Sequence, residues 1–400
     1  MTNEAQHQGL ARGEPAYRRA SLALFMAGFS TFSLLYCVQP LLPLFAQEFN
    51  VSPAQSALTM SLATALLALA ILCAAVVSEG FGRRNVIFVS LTLAAVMTLA
   101  AALSPSWTIL LVLRALTGFV LGGVPAVAMT WLSEELEARS AGHAMGLYVA
   151  GTALGGMTGR VATGVITECL GWRWAMGAFG LLGLLAAAGF ILLLPPSRHF
   201  VRRTNANAMF HLRAWLGHLS APGLRMAFLI AFTGMGAFIT VYNYIGFHLT
   251  AAPYELNQSD MGLLFLVYLF GVASSSVAGP LTERFGRDLM LPAGLLLMMT
   301  GVALTLFAPL GVVVAGVCIL PIGFFFSHSI ASASVGLFAH QSKGHATSLY
   351  LLSYYVGSSL AGWMGGWFYA AGQWPAVAAF TLALLGVAFA AAMRINALTR

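Results

Sequence analysis

The sequence predicts an all-α polytopic membrane protein, with twelve transmembrane helices in two pseudo-symmetric six-helix halves. The first observation is composition: 59% of residues are hydrophobic and only 8% are Asp, Glu, Lys or Arg. A soluble domain carries roughly 25% charged residues, so this chain is built to face hydrocarbon. The second is that apolar runs of ~20 residues, each enough to cross ~30 Å of lipid as a helix, follow one another almost without pause. The third is an internal repeat. Glu79-Gly80-Phe81-Gly82-Arg83-Arg84 returns, about two hundred residues later, as Glu283-Arg284-Phe285-Gly286-Arg287. No sustained alternating segments of the kind a transmembrane barrel needs are present.

Twelve spans are expected, at 20–45, 54–78, 86–104, 107–132, 141–168 and 174–195, then 223–249, 260–282, 288–308, 310–335, 344–371 and 374–394. Ser52-Pro53, Ser104-Pro105, Pro195-Pro196 and Ser259-Asp260 punctuate them as breakers or helix N-caps. The expected organisation is an N-terminal tail (1–19), a six-helix bundle (20–195), a polar linker with four arginines (196–222), a second bundle (223–394) and a short C-terminal tail (395–400). If the N-terminus is cytoplasmic, that side holds nearly all the loop Lys and Arg, and the other holds only Arg173. Both termini and the linker are therefore expected in the cytoplasm, in a bacterial-type inner (plasma) membrane.

The repeat extends beyond the charged string. Gly142-His143-Ala144 with Leu147-Tyr148 opens span 5, and Gly344-His345-Ala346 with Leu349-Tyr350 opens span 11. Trp172 and Trp374 mark the far ends of those spans. Two halves in the same order are parallel repeats, which point to a site at their interface and to rocking between them.

With these motifs in place, nearly the whole chain resembles the major facilitator superfamily. Its loop signature between spans 2 and 3 reads here Ala75, Glu79, Gly82, Arg83, Arg84, with Ala and Glu for the usual Gly and Asp; the second copy reads Gly279, Glu283, Gly286, Arg287. Arg114, Gly118 and Gly122 resemble the family's basic span-4 motif. Gly146, Gly155, Gly159, Arg160 and Gly164 resemble the span-5 antiporter motif of proton-linked efflux members, with Arg160 where a Pro normally stands. The finer resemblance is to the arabinose-efflux-like and acriflavine-sensitivity-type inner-membrane branch. It implies that Glu79, Gly82, Arg83, Glu283, Gly286 and Arg287 form a gating latch; the alternative is a solvated, topogenic loop. The span-5 glycines permit close helix packing, at a gate or simply within the bundle.

Arg114 and Arg160 are the costliest residues to place. An Arg near a helix centre costs roughly 2.5–3.5 kcal/mol on insertion scales and keeps its proton, so each needs a cavity or a partner. Both lie roughly 10–12 Å below the outer surface by helical rise. No span interior contains Asp or Glu, which argues against a simple exchange of a cationic drug for protons. The arginines could instead bond backbone carbonyls and tie spans 1, 4 and 5 together. Tyr36 and Gln39 in span 1, Tyr242 and Asn243 in span 7, and Tyr354 in span 11 suit an amphipathic organic substrate as a group, although any one Tyr could be packing. Pro40 and Pro43 should bend span 1. His328 in span 10 is the proton-coupling candidate, or else a hydrogen-bonded core residue.

The basic residues are spread over short loops, so a nucleic-acid partner is not expected. Cys37, Cys73, Cys169 and Cys318 have neither metal-ligand nor disulfide spacing. No catalytic constellation, cofactor, metal site or nucleotide-binding loop is expected. The expected activity is secondary transport of a small organic solute by a monomer, as proton-coupled efflux. The alternatives are an organic-anion uptake or exchange carrier clamped by Arg114 and Arg160, and a solute receptor that transports nothing.

Overall fold

A computed structural model describes residues 9–197, 208–339 and 343–398. The described residues are almost entirely helical. Among the described residues ten stretches are long and apolar enough to span a membrane; one of them, Lys343–Ala397, covers two helices, and the 33-residue helix Ala138–Leu170 is not among the ten. The chain separates into two compact units, Met1–Val38 with Leu66–Ala206 and Gln39–Ala65 with Asn207–Arg400.

In the first unit, span 1 begins at Pro15, whose missing N–H is harmless at the first helical position. It starts earlier than the sequence suggests because the chain before it is tied down. Leu10 is buried, its N–H reaches the Glu135 carbonyl at 2.8 Å, and its carbonyl accepts from Glu137 N–H at 3.3 Å. The regular helix stops at Tyr36, as Pro40 and Pro43 require, and resumes over Leu42–Glu48 after one 3-10 turn. That break coincides with the passage of the chain into the second unit, to which the first part of span 2 (Pro53–Phe81) also belongs.

Span 3 is Arg83–Ala102, span 4 runs Trp107–Leu121 and then Pro125–Glu135, span 5 is Ala138–Leu170 and span 6 is Trp172–Leu193. Span 4 is interrupted where Gly122 and Gly123 precede Pro125, which cannot continue the helix's hydrogen bonds. Spans 1 and 5 cross at contact distance: a Cβ on Gly155 would overlap the Phe29 carbonyl, and one on Gly159 would lie 2.9 Å from the Ser33 backbone. Only hydrogen fits there.

The second unit repeats this plan with span 7 (Pro222–Thr250), span 8 (Gln258–Phe285, with one 3-10 turn), span 9 (Arg287–Leu304), span 10 (Leu310–Phe338) and spans 11 and 12 within Lys343–Leu398. Gly357 meets the Phe232 carbonyl as Gly155 meets that of Phe29. The two charged hairpins also share a backbone: Gly82 has φ 87 and ψ 139, and Gly286 has φ 82 and ψ 147. A left-handed φ of this kind suits glycine, which is why the hairpin Gly recurs. The turn between spans 5 and 6 uses Gly171 at φ 90, but Gln373 takes the matching place at φ 53. An additional helix, Ala208–Ser220, lies in the linker where only a polar connection is expected.

Candidate functional site

Each unit holds its own polar and aromatic groups, and the duplication shows which are special to one half. In the first unit Arg114 is fully buried. It donates to the Leu34 carbonyl at 2.9 Å and the Leu35 carbonyl at 2.6 Å, in the last turn before the span-1 break. Carbonyls at a helix end lack intrahelical partners, and a guanidinium fork can serve two at once. Arg160 is equally buried but lies with its guanidinium carbon 3.9 Å above the centroid of the Tyr36 ring, and donates to its own helix at Gly156 (2.7 Å). A cation over an aromatic face in a dry site is stabilised by the ring quadrupole.

The second half has close-packed glycines at the positions of these arginines. Arg114 corresponds to Gly316, where a Cβ would lie 2.5 Å from the Gly301 carbonyl. Arg160 corresponds to Gly362, where a Cβ would meet Asn243 Nδ2 and Ile239 at 3.1 Å.

The second unit supplies hydrogen-bonding groups instead. Gln39 Nε2 donates to Asn243 Oδ1 at 2.8 Å, with both side chains buried. The Asn243 amide nitrogen has no protein partner among the described residues, nor does Ser61 Oγ, which lies on the same side of Gly362. Tyr242 donates to the Val317 carbonyl at 3.0 Å. Its ring belongs to a cluster with Phe238, Phe265 and Tyr268, and Phe238 stacks on Phe324 with centroids 4.0 Å apart. The cluster continues through His328, stacked on Phe324 at 5.7 Å, to Tyr354, 5.0 Å from the imidazole.

His328 Nδ1 lies 2.9 Å from the Tyr350 hydroxyl. Beside this pair is a cavity of about 10 Å³ lined in part by Met235, Ser327, His328 and Tyr350, room for about one water. The first half has Gly122, Gly123 and Ala126 where the second has Phe324, Phe325 and His328, so this cluster is also half-specific. Tyr148, the match of Tyr350, is buried with no hydrogen-bond partner for its hydroxyl among the described residues.

The hairpins differ in their partners. Arg83 donates from Nε to Glu134 Oε2 (3.2 Å) and from Nη2 to Oε1 (2.9 Å), and also bonds Ser78. The side chain of Glu79, the expected partner four residues away, lies outside the described residues, as does that of Ala75. In the second copy Glu283 is exposed, and Arg287 lies 5.3 Å from the Phe338 ring and 3.7 Å from Asp288. Of the span-5 glycines, Gly155 and Gly159 mark the helix crossing, whereas a Cβ on Gly146 would meet nothing within 4 Å and Gly164 is simply buried.

Sequence reasoning missed Glu134, Tyr350, Ser61 and the phenylalanines of the cluster. Glu134 had a signal, since it closes span 4 on the side where the Arg83 hairpin is expected. The phenylalanines had none, because an apolar ring in an apolar span is indistinguishable from packing.

The sequence profile of the Major Facilitator Superfamily matches residues 22–257 and 250–397. The chain belongs to that superfamily. It is 42% identical over 395 residues to the inner membrane transport protein YnfM of Escherichia coli (strain K12), covering 98% of this chain and 93% of YnfM. It is 40% identical over 379 residues to the MFS-type transporter YybF of Bacillus subtilis (strain 168), covering 95% and 94%. The fold is similar to the crystal structure of a bacterial homologue of the human lysosomal transporter Spinster, with TM-score 0.78 at 17% identity over 96% of this chain and 98% of that one. This major facilitator protein is thus a multi-pass membrane transporter, and its relatives are transporters rather than enzymes.

Proposed function

We propose that this transporter exports a small amphipathic organic solute bearing an aromatic or flat apolar part, in exchange for protons and by alternating access. The aromatic cluster of the second unit carries this reading. Phe238, Tyr242, Tyr268, Phe324, His328 and Tyr354 form continuous ring surface with polar tips, suited to a solute that is apolar in body and polar at its edge. Asn243 Nδ2 offers a donor for a carbonyl or ether oxygen. The span-5 resemblance to proton-linked antiporters supports efflux. His328, half-buried beside Tyr350, is the proton-carrying candidate because no span interior supplies a carboxylate. The distribution of Lys and Arg supports a cytoplasmic position for both termini.

Inverted and right-side-out vesicles test the direction. Uptake of an aromatic solute into inverted vesicles that rises with an imposed pH gradient, and its absence from right-side-out vesicles, is the expected result. Accumulation driven in the opposite sense sinks the efflux reading.

A second reading, an organic-anion carrier, is favoured by Arg160 over Tyr36. The guanidinium lies 3.9 Å over the ring centroid, and a fixed charge in a low-dielectric site attracts anions. Arg114 then serves as a brace for the span-1 break rather than as a second clamp arm. A thermal-shift screen of anionic, neutral and cationic solutes on wild type and Arg160→Ala separates the two readings. Stabilisation by anions that Arg160→Ala abolishes supports the anion carrier, and equal stabilisation of both proteins by neutral aromatic solutes removes it.

A further inference from the structure

We propose that the linker helix Ala208–Ser220 is a membrane-surface anchor for anionic phospholipid headgroups. Thirteen residues make a helix that is marginal in water on its own, so it must be held from outside. One hold is visible. Trp215 Nε1 donates to Ser348 Oγ at 3.2 Å, and its ring lies edge-on to His345, 5.9 Å away, in the first turns of span 11. Beyond that contact, Leu216 and Leu219 are 54% and 45% exposed, and Arg213 is exposed beside them. Ala221 is extended and Pro222 starts span 7, which puts the helix at the mouth of two apolar spans, Pro222–Thr250 and the one that begins at Lys343. Exposed leucines beside the ends of such spans suit a headgroup–acyl boundary.

Charge identifies the lipid. Between Glu168 and Glu255 the sequence contains no acidic residue, while Arg213 is exposed on the helix and the exposed Arg225 follows one turn into span 7. Basic side chains next to an amphipathic helix are drawn to anionic headgroups within a Debye length. Topogenic arginines alone would not call for a folded helix with two outward leucines.

The test uses the full chain in nanodiscs of phosphatidylcholine, or of equal parts phosphatidylcholine and phosphatidylglycerol, and reads hydrogen exchange at the amides of 213–220. Exchange should slow on the order of tenfold in the phosphatidylglycerol discs at low salt. Arg213→Gln with Arg225→Gln should abolish that difference, and Leu216→Ser with Leu219→Ser should raise exchange in both lipids. Unchanged protection of Phe238–Tyr244 in span 7 verifies the fold of each variant. Equal exchange in the two lipids, or a difference that survives removal of both arginines, overturns the proposal.

Discussion

Arg83 and Glu134 face each other as a two-bonded ion pair, 2.9 Å at the closer contact, joining the start of span 3 to the end of span 4. The Arg side chain is nearly buried (9% exposed) and the Glu is 31% exposed. The geometry is the fork-to-carboxylate arrangement that makes Arg pairs strong. It gives the first copy of the hairpin a partner on span 4. Glu134→Gln is expected to lower unfolding stability by about 1–2 kcal/mol, since a hydrogen bond to a charged group contributes roughly 1.5–3 kcal/mol and the 31% exposure of Glu134 screens part of it. A double-mutant cycle with Arg83→Gln should return a coupling of at least ~1 kcal/mol; independent, additive losses would mean that the pair does not act as a unit.

The two buried arginines should behave differently. Arg114→Met leaves the Leu34 and Leu35 carbonyls without their donor, at a cost of about 2–4 kcal/mol for two such bonds. Arg114→Lys should recover only part of this, because an ammonium lacks the planar fork. Arg160→Met should cost less, since it removes a contact with an aromatic face and a bond to a carbonyl of its own helix rather than two bonds to a broken helix end. Thermal unfolding in one detergent ranks the three variants. A larger loss for Arg160→Met than for Arg114→Met would reverse the roles assigned here.

Helix crossings give a third expectation. A methyl on Gly357 or Gly155 would overlap a backbone carbonyl of the facing span, and backbone has little freedom to yield. Each Gly→Ala change should destabilise by about 2 kcal/mol or more, in the upper range of overpacking costs. Gly146→Ala meets open space and should be neutral, or stabilising by up to ~1 kcal/mol from helix propensity. Refolding yield and unfolding temperature, measured side by side, provide the comparison.

Gln373 is a site for stabilisation. It stands at φ 53, ψ −151 between spans 11 and 12, where the first half uses Gly171. A side chain in left-handed backbone costs about 1–2 kcal/mol, part of which glycine regains at the expense of a freer unfolded chain. Gln373→Gly should raise the unfolding temperature, and Gly171→Gln should lower it. A drop for Gln373→Gly would show that its side chain makes a contact worth more than the backbone strain.

Much of the architecture could be read from residue order. The apolar runs anticipate the helix ends within a few residues, because lipid thickness imposes a length that composition must satisfy. The duplicated Gly82 and Gly286 mark turns that their left-handed φ confirms. The site was legible in its costly members only. Arg114, Arg160, Gln39 and Asn243 stand out because polar groups in lipid need a reason. Phe238 and Phe324 did not stand out, nor did the docking of Leu10 against the connector after span 4.

Sequence by itself determined that this protein is a duplicated, twelve-span membrane protein and which residues break its symmetry. Those properties follow from hydrophobic length, helix breakers and repetition, all local or periodic along the chain. Tertiary structure alone decided how the symmetry-breaking residues are employed. It set Arg114 on the broken end of span 1 and Arg160 on Tyr36, chose Glu134 as the partner of Arg83, and gave Tyr350 the imidazole that its twin Tyr148 lacks. The reason is that a guanidinium or hydroxyl is satisfied by whichever acceptor lies within about 3 Å, and such neighbours are brought together by helix packing, not by spacing along the chain.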